Sequence, residues 1–532
     1  MRRALGWRGG APSRGLGASG CAPGASPRAL AALVPRAARP TSWVDASKQA
    51  VSQESLAGIP WAGRSTLAGL FVRVAMCDRK DPAVWKRLVA RADVIAHSFT
   101  AKQASLVLSA MARVKHTNAS FLRRFTVKCV PSLVEDAELL DLCGIISSLS
   151  QLNGYCEESF SLAVGRLIAF APQMDLKQIS LVANAYIRVG HPNAKLFRAL
   201  LKQVPRRIAR CSGKDAAVLL NALAQFPAAR ALASADDGAL ADDEDGMVDD
   251  QGSDDASSRP TREGQECLLP GELRTVVEAV TLRLPELLPS ADLHTLTLLL
   301  NALAQLRFAQ KDVTDLLTEE LLANEARFQR MTGRQLAMIL NSAARLQLFD
   351  PRLLDAMVSK TRQQAGSLDS QALCLVANAS AKLQFGLDTF QALYAQVPRH
   401  LARLSGRQLA MVCHAWAKAH VHNDDLFSLL ALPLAQRTRE LGAREVAIAV
   451  YGYAHFKKAP PELFTPLLER FAELRAQCKA SQAEVLMIGN ALGRVGWRDS
   501  AVAEGLEAYA RREPSLRNLS AQARATYSLE PQ

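Results

Sequence analysis

The chain writes LLNALAQF at residues 219–226 and LLNALAQL at residues 299–306, apolar except for an Asn and a Gln four residues apart. Apolar positions that wrap around one polar position, without period-two alternation, predict helices rather than strands. With the Asn as a marker, equivalent positions recur at Ser109, Ser147, Asn184, Asn221, Asn301, Asn341, Asn378, His414, Tyr451 and Asn490. Their spacings run 38, 37, 37, 80, 40, 37, 36, 37, 39. The single 80 is one repeat of about 37 plus an insertion of about 43 residues.

Each unit reads as two helices. The first has a start signal nine residues before its marker, often a capping box: Thr100 with Gln103, Asp175 with Gln178, Thr332 with Gln335, Ser405 with Gln408, Ser481 with Glu484. It ends near Gly or a small turn, as in RVGHP at 188–192. The second helix opens with Pro or acids, as in HPNAKLF, FDPRLLDAM, HNDDLF and APPELF. A first-turn amide has no helical partner, so Pro fits there, and acids suit the positive helix end. A helix pair every 37 residues cannot bury its apolar faces alone, so the units must stack. The expected fold is all-α, an α-solenoid of about ten to eleven two-helix repeats. A weaker unit is expected first, marked near Phe71 with DPAVWKRLV as its second helix, and PSLRNLSAQARATYSL is a terminal half-repeat that caps the stack.

Charge changes this picture at two places. Residues 1–44 hold seven Arg and no acid, among Ala, Gly and Pro, the composition of a disordered organelle transit peptide. Scarce Ser there favours the mitochondrial matrix, with the plastid as runner-up. Residues 227–267 hold twelve acids against three Arg and are expected to be a disordered acidic insertion within a repeat. It divides an N-terminal solenoid part, 45–226, from a C-terminal part, 268–532. The whole chain carries +13, so the body without these two segments is more basic still, which favours a polyanionic partner. The ten Cys include no CxxC pair, so neither a zinc module nor a disulfide framework is expected; most read as small apolar residues of helix interfaces. No run approaches the roughly 18 to 20 apolar residues of a membrane helix, and no membrane partner is expected.

On a helical wheel, the residue seven before the marker lies about 20° from it and the residue four after about 40° from it, on the same side. The position four after holds Arg113, Gln151, Arg188, Gln225, Gln305, Arg345, Lys382, Lys418, His455 and Arg494. Cations there also suit the negative helix end. The position seven before holds Lys102, Leu140, Lys177, Lys214, His294, Arg334, Gln371, Arg407, Arg444 and Ala483. A cation at the second helical residue opposes the helix dipole by roughly 0.3–1 kcal/mol, so its recurrence points to binding. The marker amides Asn184, Asn221, Asn301, Asn341, Asn378 and Asn490 admit both a bridge between repeats and a ligand contact. Together the three columns form a ladder able to neutralise phosphates and to hydrogen-bond the base edges of a single strand. Few aromatics interleave (Tyr186, Trp416, Tyr451, Tyr453), which makes stacking a minor contributor.

A unit such as APPELFTPLLERFAELRAQCKASQAEVLMIGNALGRVG, residues 459–496, resembles the octotricopeptide and heptatricopeptide repeats of organelle RNA-binding proteins. It is similar also to the leucine-rich helical repeats of FAST-kinase-like proteins and to kinetoplastid RNA-editing substrate-binding complex subunits. The resemblance covers about residues 65–530 and rests on period and pattern. It implies a mitochondrial or plastid factor for RNA processing, stability, editing or translation. Many such proteins end in a nuclease-like RAP domain; this chain ends in another repeat, so no catalytic role carries over. No phosphate loop, HExxH or GxSxG occurs. His414, His420 and His422 cluster in sequence, but His414 is a marker and no Cys is near, so no metal is expected. The reading is a non-enzymatic protein without cofactor, whose partners are single-stranded organellar RNA and other subunits of a ribonucleoprotein complex, and not DNA. The competing reading is a protein-interaction scaffold of a mitochondrial ribosome or editing complex.

Overall fold

Each marked first helix has its N-cap position nine residues before its marker, at Thr100, Glu138, Asp175, Ser212, Asp292, Thr332, Asp369, Ser405, Gly442 and Ser481, and the side chain caps it in all but Glu138, Gly442 and Ser481. The capping boxes form: the Asp175 carboxylate accepts from the Gln178 amide and the Gln178 side chain accepts from the Asp175 amide, both at 2.8 Å. The structure, a computed structural model, describes residues 53–77, 81–226, 270–512 and 518–529. The expected transit peptide (1–44) and acidic insertion (227–267) lie outside the described residues.

The first helices form one row: α1 (Arg64–Met76), α2 (Ala101–Arg113), α3 (Leu139–Gln151), α4 (Leu176–Arg188), α5 (Gly213–Ala224), α6 (Leu293–Gln305), α7 (Gly333–Arg345), α8 (Ser370–Lys382), α9 (Gly406–Lys418), α10 (Ala443–His455), α11 (Gln482–Val495) and the short α12 (Ala521–Tyr527). Each packs on the next, α5 on α6 included, so the two octapeptides are neighbours in space. Second helices, from Pro82–Ile95 to Ser500–Arg512, make a second layer against this row. The protein is an all-α solenoid, and no strand occurs among the described residues. Eleven helix pairs are described, with α12 closing the row.

Side chains two after the marker point roughly 200° away from it, toward the second layer. Tyr186 and Tyr453 sit there, nearly fully buried, and donate to the Phe160 and Phe427 carbonyls at 2.8 and 2.7 Å. Trp416 occupies the same position against Phe390. Of the four aromatics expected to interleave with the polar stripe, these three are core residues, and only Tyr451 remains on the stripe. The wheel angle, rather than the residue type, decides this.

The ends of the first helices depart from the small-residue turn expected. Six residues after the marker the backbone turns left-handed in nine units, yet only Gly190 and Gly496 are glycines. Lys115, Asn153, Arg307, Gln347, Gln384, His420 and Lys457 take the same turn at φ between 51° and 57°. The next amide donates back to the carbonyl five residues earlier, as in Val421 to Trp416 at 3.0 Å and Leu348 to Ala343 at 2.9 Å. This closure satisfies otherwise orphaned helix-end carbonyls.

Two further features were silent in the sequence reading. Val-Pro or Leu-Pro pairs (Pro131, Pro205, Pro285, Pro398) begin a short separate helix after the second helix of four units, because Pro cannot continue a helical hydrogen-bond ladder. An arginine from the second layer also reaches the carbonyl just before the first-helix cap of its own unit. Arg91 donates to Ala62, Arg166 to Ala137, Arg327 to Ala291 and Arg470 to Leu441, all at 2.8–3.1 Å. A share of the basic excess therefore holds the two layers of a repeat together and does not face a partner.

Candidate nucleic-acid interface

The stripe expected from the wheel exists as a face of the first-helix row, turned away from the second layer. Seven before the marker, Lys102, Lys177, Lys214, His294, Arg334 and Arg407 are exposed, and Arg444 is half-buried. Leu140 is exposed in the same column, 70% accessible, which breaks the basic row at α3. Arg407 is 3.5 Å from Glu445, the third helical residue of α10, so one of these cations is matched by a neighbouring repeat. Four after the marker, Arg113, Gln151, Arg188, Gln225 and Arg494 are exposed, while Gln305, Arg345, Lys382, Lys418 and His455 are half-buried. The two columns stand eleven residues apart along each helix, roughly 16 Å at helical rise. A polar valley of markers separates them.

The markers divide between the two roles left open for them. Asn301 is buried and its amide donates to the Asn221 side chain at 3.4 Å, across the insertion. Asn378 is also buried, whereas Asn184 and Asn341 are half-exposed. Asn490 donates to the Asn518 carbonyl at 2.9 Å and accepts from the Ser520 amide at 2.8 Å, tying α11 to the cap helix α12. Bridging between repeats is thus what Asn221, Asn301 and Asn490 do in this structure.

The left-handed column adds a third basic and polar line that sequence reasoning missed. Lys115, Asn153, Arg307, Gln347, Gln384, His420 and Lys457 are all exposed, beyond the carboxyl ends of the first helices. Their only sequence signal was the registry itself, six after each marker. Where the line meets the next repeat, His420 Nδ1 lies 3.0 Å from His455 Nε2. Arg494 donates to His455 Nδ1 at 3.3 Å and lies 5.4 Å over the Tyr451 ring, which neighbours His414 at 5.7 Å. Burial, then the charges of His420 and Arg494, hold His455 below the ordinary histidine value. Imidazoles therefore supply the ring surfaces that the aromatics do not.

Burial pushes the Cys143, Cys374 and Cys413 thiols up to about 12, which fits packing residues. Cys77 and Cys478 are exposed instead, so the interface role expected of the cysteines holds for only part of the set. No described helix is long and apolar enough to cross a membrane.

An uninterrupted row of short helices with a polar outer face defines the class as helical-repeat solenoid. Within that class, residues 288–530 match the sequence model of the RNA-editing substrate-binding complex 6 protein family. The match runs from the end of the α5 unit through α12. No curated protein matches the chain. Among solved structures, one described as a homology model of the full-length AP-3 complex in an intermediate open conformation aligns over 91% of this chain and 75% of that chain. It shares 13% identity with a TM-score of 0.28.

Proposed function

We propose that the protein is a non-enzymatic RNA-binding solenoid of mitochondrial RNA metabolism, working inside a ribonucleoprotein assembly of the RNA-editing kind. The observation that carries the reading is the exposed cation column at the amino ends of the first helices. Helix stability disfavours cations there, and they recur in register along one face. Two basic rows roughly 16 Å apart, flanking a polar valley, suit the backbone of a single strand with its bases turned to Asn and Gln. The likeness of residues 288–530 to an editing-complex family supports the assembly, and the arginine-rich residues 1–44 support the organelle.

Replacing Lys177, Lys214, Arg334, Arg407 and Arg444 together by Gln tests the face. Single-strand RNA affinity should drop at least about tenfold at moderate salt, and the slope of log affinity against log salt should flatten by roughly three. Unchanged affinity and slope would remove the binding face. The second reading, a scaffold that contacts protein subunits, is favoured by the same family likeness. It expects no crosslinks between RNA and the first helices.

A further inference from the structure

The His420, His455 and Arg494 contacts form a directional chain. Arg494 can only donate, so His455 Nδ1 accepts and carries no proton. His455 Nε2 then holds the proton and donates to His420 Nδ1. Both rings therefore accept through Nδ1 in this arrangement. Protonating both would set two cations 3.0 Å apart beside a guanidinium.

We propose that His420, His455 and Arg494 form a phosphate-binding site that takes up a proton as the anion binds. A phosphate oxygen placed between the rings accepts from His420 and His455, replacing an imidazole acceptor by an anionic one, while the exposed Arg494 guanidinium adds its charge from the other edge of the His455 ring. The dianionic or diester charge offsets the repulsion from His420 and Arg494 at His455, so an imidazole of the pair gains a proton from solvent. Other charges around the cluster are Lys418 on α9, Lys457 and Lys458 after α10, and Arg498 after α11. The carboxylates of these turns and of the helices they open are Asp424, Asp425, Glu462 and Asp499. Asp424 is held by Lys458 and His422, and Asp499 accepts from the Val502 amide. With Arg494 counted, five cations stand against these four carboxylates, so the surroundings are net cationic and favour an anion.

The ligand is a phosphoryl group, either a phosphodiester of a bound strand or a free phosphate. The first source rests on the RNA reading above. Tyr451, covered on one side by Arg494, adds a stacked pair beside the anion on which a base can rest.

Calorimetric titration of the full chain in two buffers of different ionisation enthalpy, near pH 6.8, measures the proton. The probes are a mixed-sequence single-stranded oligoribonucleotide and, separately, inorganic phosphate. Wild type should take up close to one proton more than a His420→Asn/His455→Gln variant, and its affinity should rise about tenfold from pH 7.5 to 6.0. Asn is chosen at 420 because it tolerates the left-handed turn. A His455→Lys variant should bind with little proton uptake, since its charge is already present; this keeps the test decisive if the double variant misfolds. Equal uptake by wild type and variants, with both probes, overturns the site. Proton-coupled binding of phosphate without any RNA binding keeps the site and removes the RNA reading instead.

Discussion

Seven of the residues that follow the first helices carry a Cβ in left-handed turns that Gly would occupy at lower cost. The left-handed conformation costs an L-residue roughly 1–2 kcal/mol, part of which Gly returns through its looser unfolded state. Gln347→Gly and Gln384→Gly should each stabilise the chain by up to about 1 kcal/mol, read as a rise in urea midpoint at constant slope. Loss of stability would show that those side chains hold the turn by contacts. The same scale carries the pH dependence. His116, half-buried against Trp85, and His455 both sit below the ordinary value of 6.5. Below about pH 6.5 the unfolded chain binds protons that the folded chain resists, so stability rises with pH in that range and levels off above it. Thermal melts should show a lower Tm at pH 5.5 than at 7.5, with the drop reduced in His455→Gln; an undiminished drop would leave the effect to other groups.

At the scale of elements, two local devices keep the helices in register. Arg327 joins the layers inside one repeat: its side chain is only 14% exposed, donates to Ala291, and pairs with Glu320 at 2.9 Å. Arg327→Ala should cost roughly 2–3 kcal/mol because it strips partners from a buried carbonyl and a carboxylate. Chemical denaturation measures it, and a change under about 0.5 kcal/mol would refute the clamp. At the far end, a Cβ at Gly493 would lie 2.6 Å from the Ala523 backbone nitrogen. Gly493→Ala should therefore lift α12 from α11, seen as lost hydrogen-exchange protection over residues 521–527, with protection of α4 unchanged. The periodic first helices were legible because caps, apolar spacing and marker repeat together. The second layer was read less well: its Pro breaks at Pro131, Pro205, Pro285 and Pro398 each stand sixteen before the next marker, a registry overlooked beside the first helices, whereas the arginine clamps vary in position from unit to unit.

For the whole molecule, the contact between α5 and α6 is the informative one. The helices pack as ordinary neighbours, although Asn221 and Asn301 stand more than two repeat lengths apart in the chain. Solenoid stability is nearly a sum over adjacent repeats, so an insertion that leaves that interface intact is tolerated. Excising residues 228–266 should leave Tm nearly unchanged. If the twelve acids of that segment compete for the basic face, the same deletion raises RNA affinity at low salt and less so at high salt. An unaltered affinity would make the insertion a bystander.

Sequence by itself determined the helical class, the length of the repeat, the caps and the columns of the polar stripe, because each is a one-dimensional regularity of a helix stacked on its copies. Tertiary structure decided what each core side chain meets, such as the Phe160 and Phe427 carbonyls that accept from Tyr186 and Tyr453. It decided that some markers bridge repeats, and that several arginines clamp loops. It also brought His420 of one repeat to His455 of the next. Such contacts depend on the rotation and offset between neighbouring repeats, which a periodic pattern leaves free and only packing fixes.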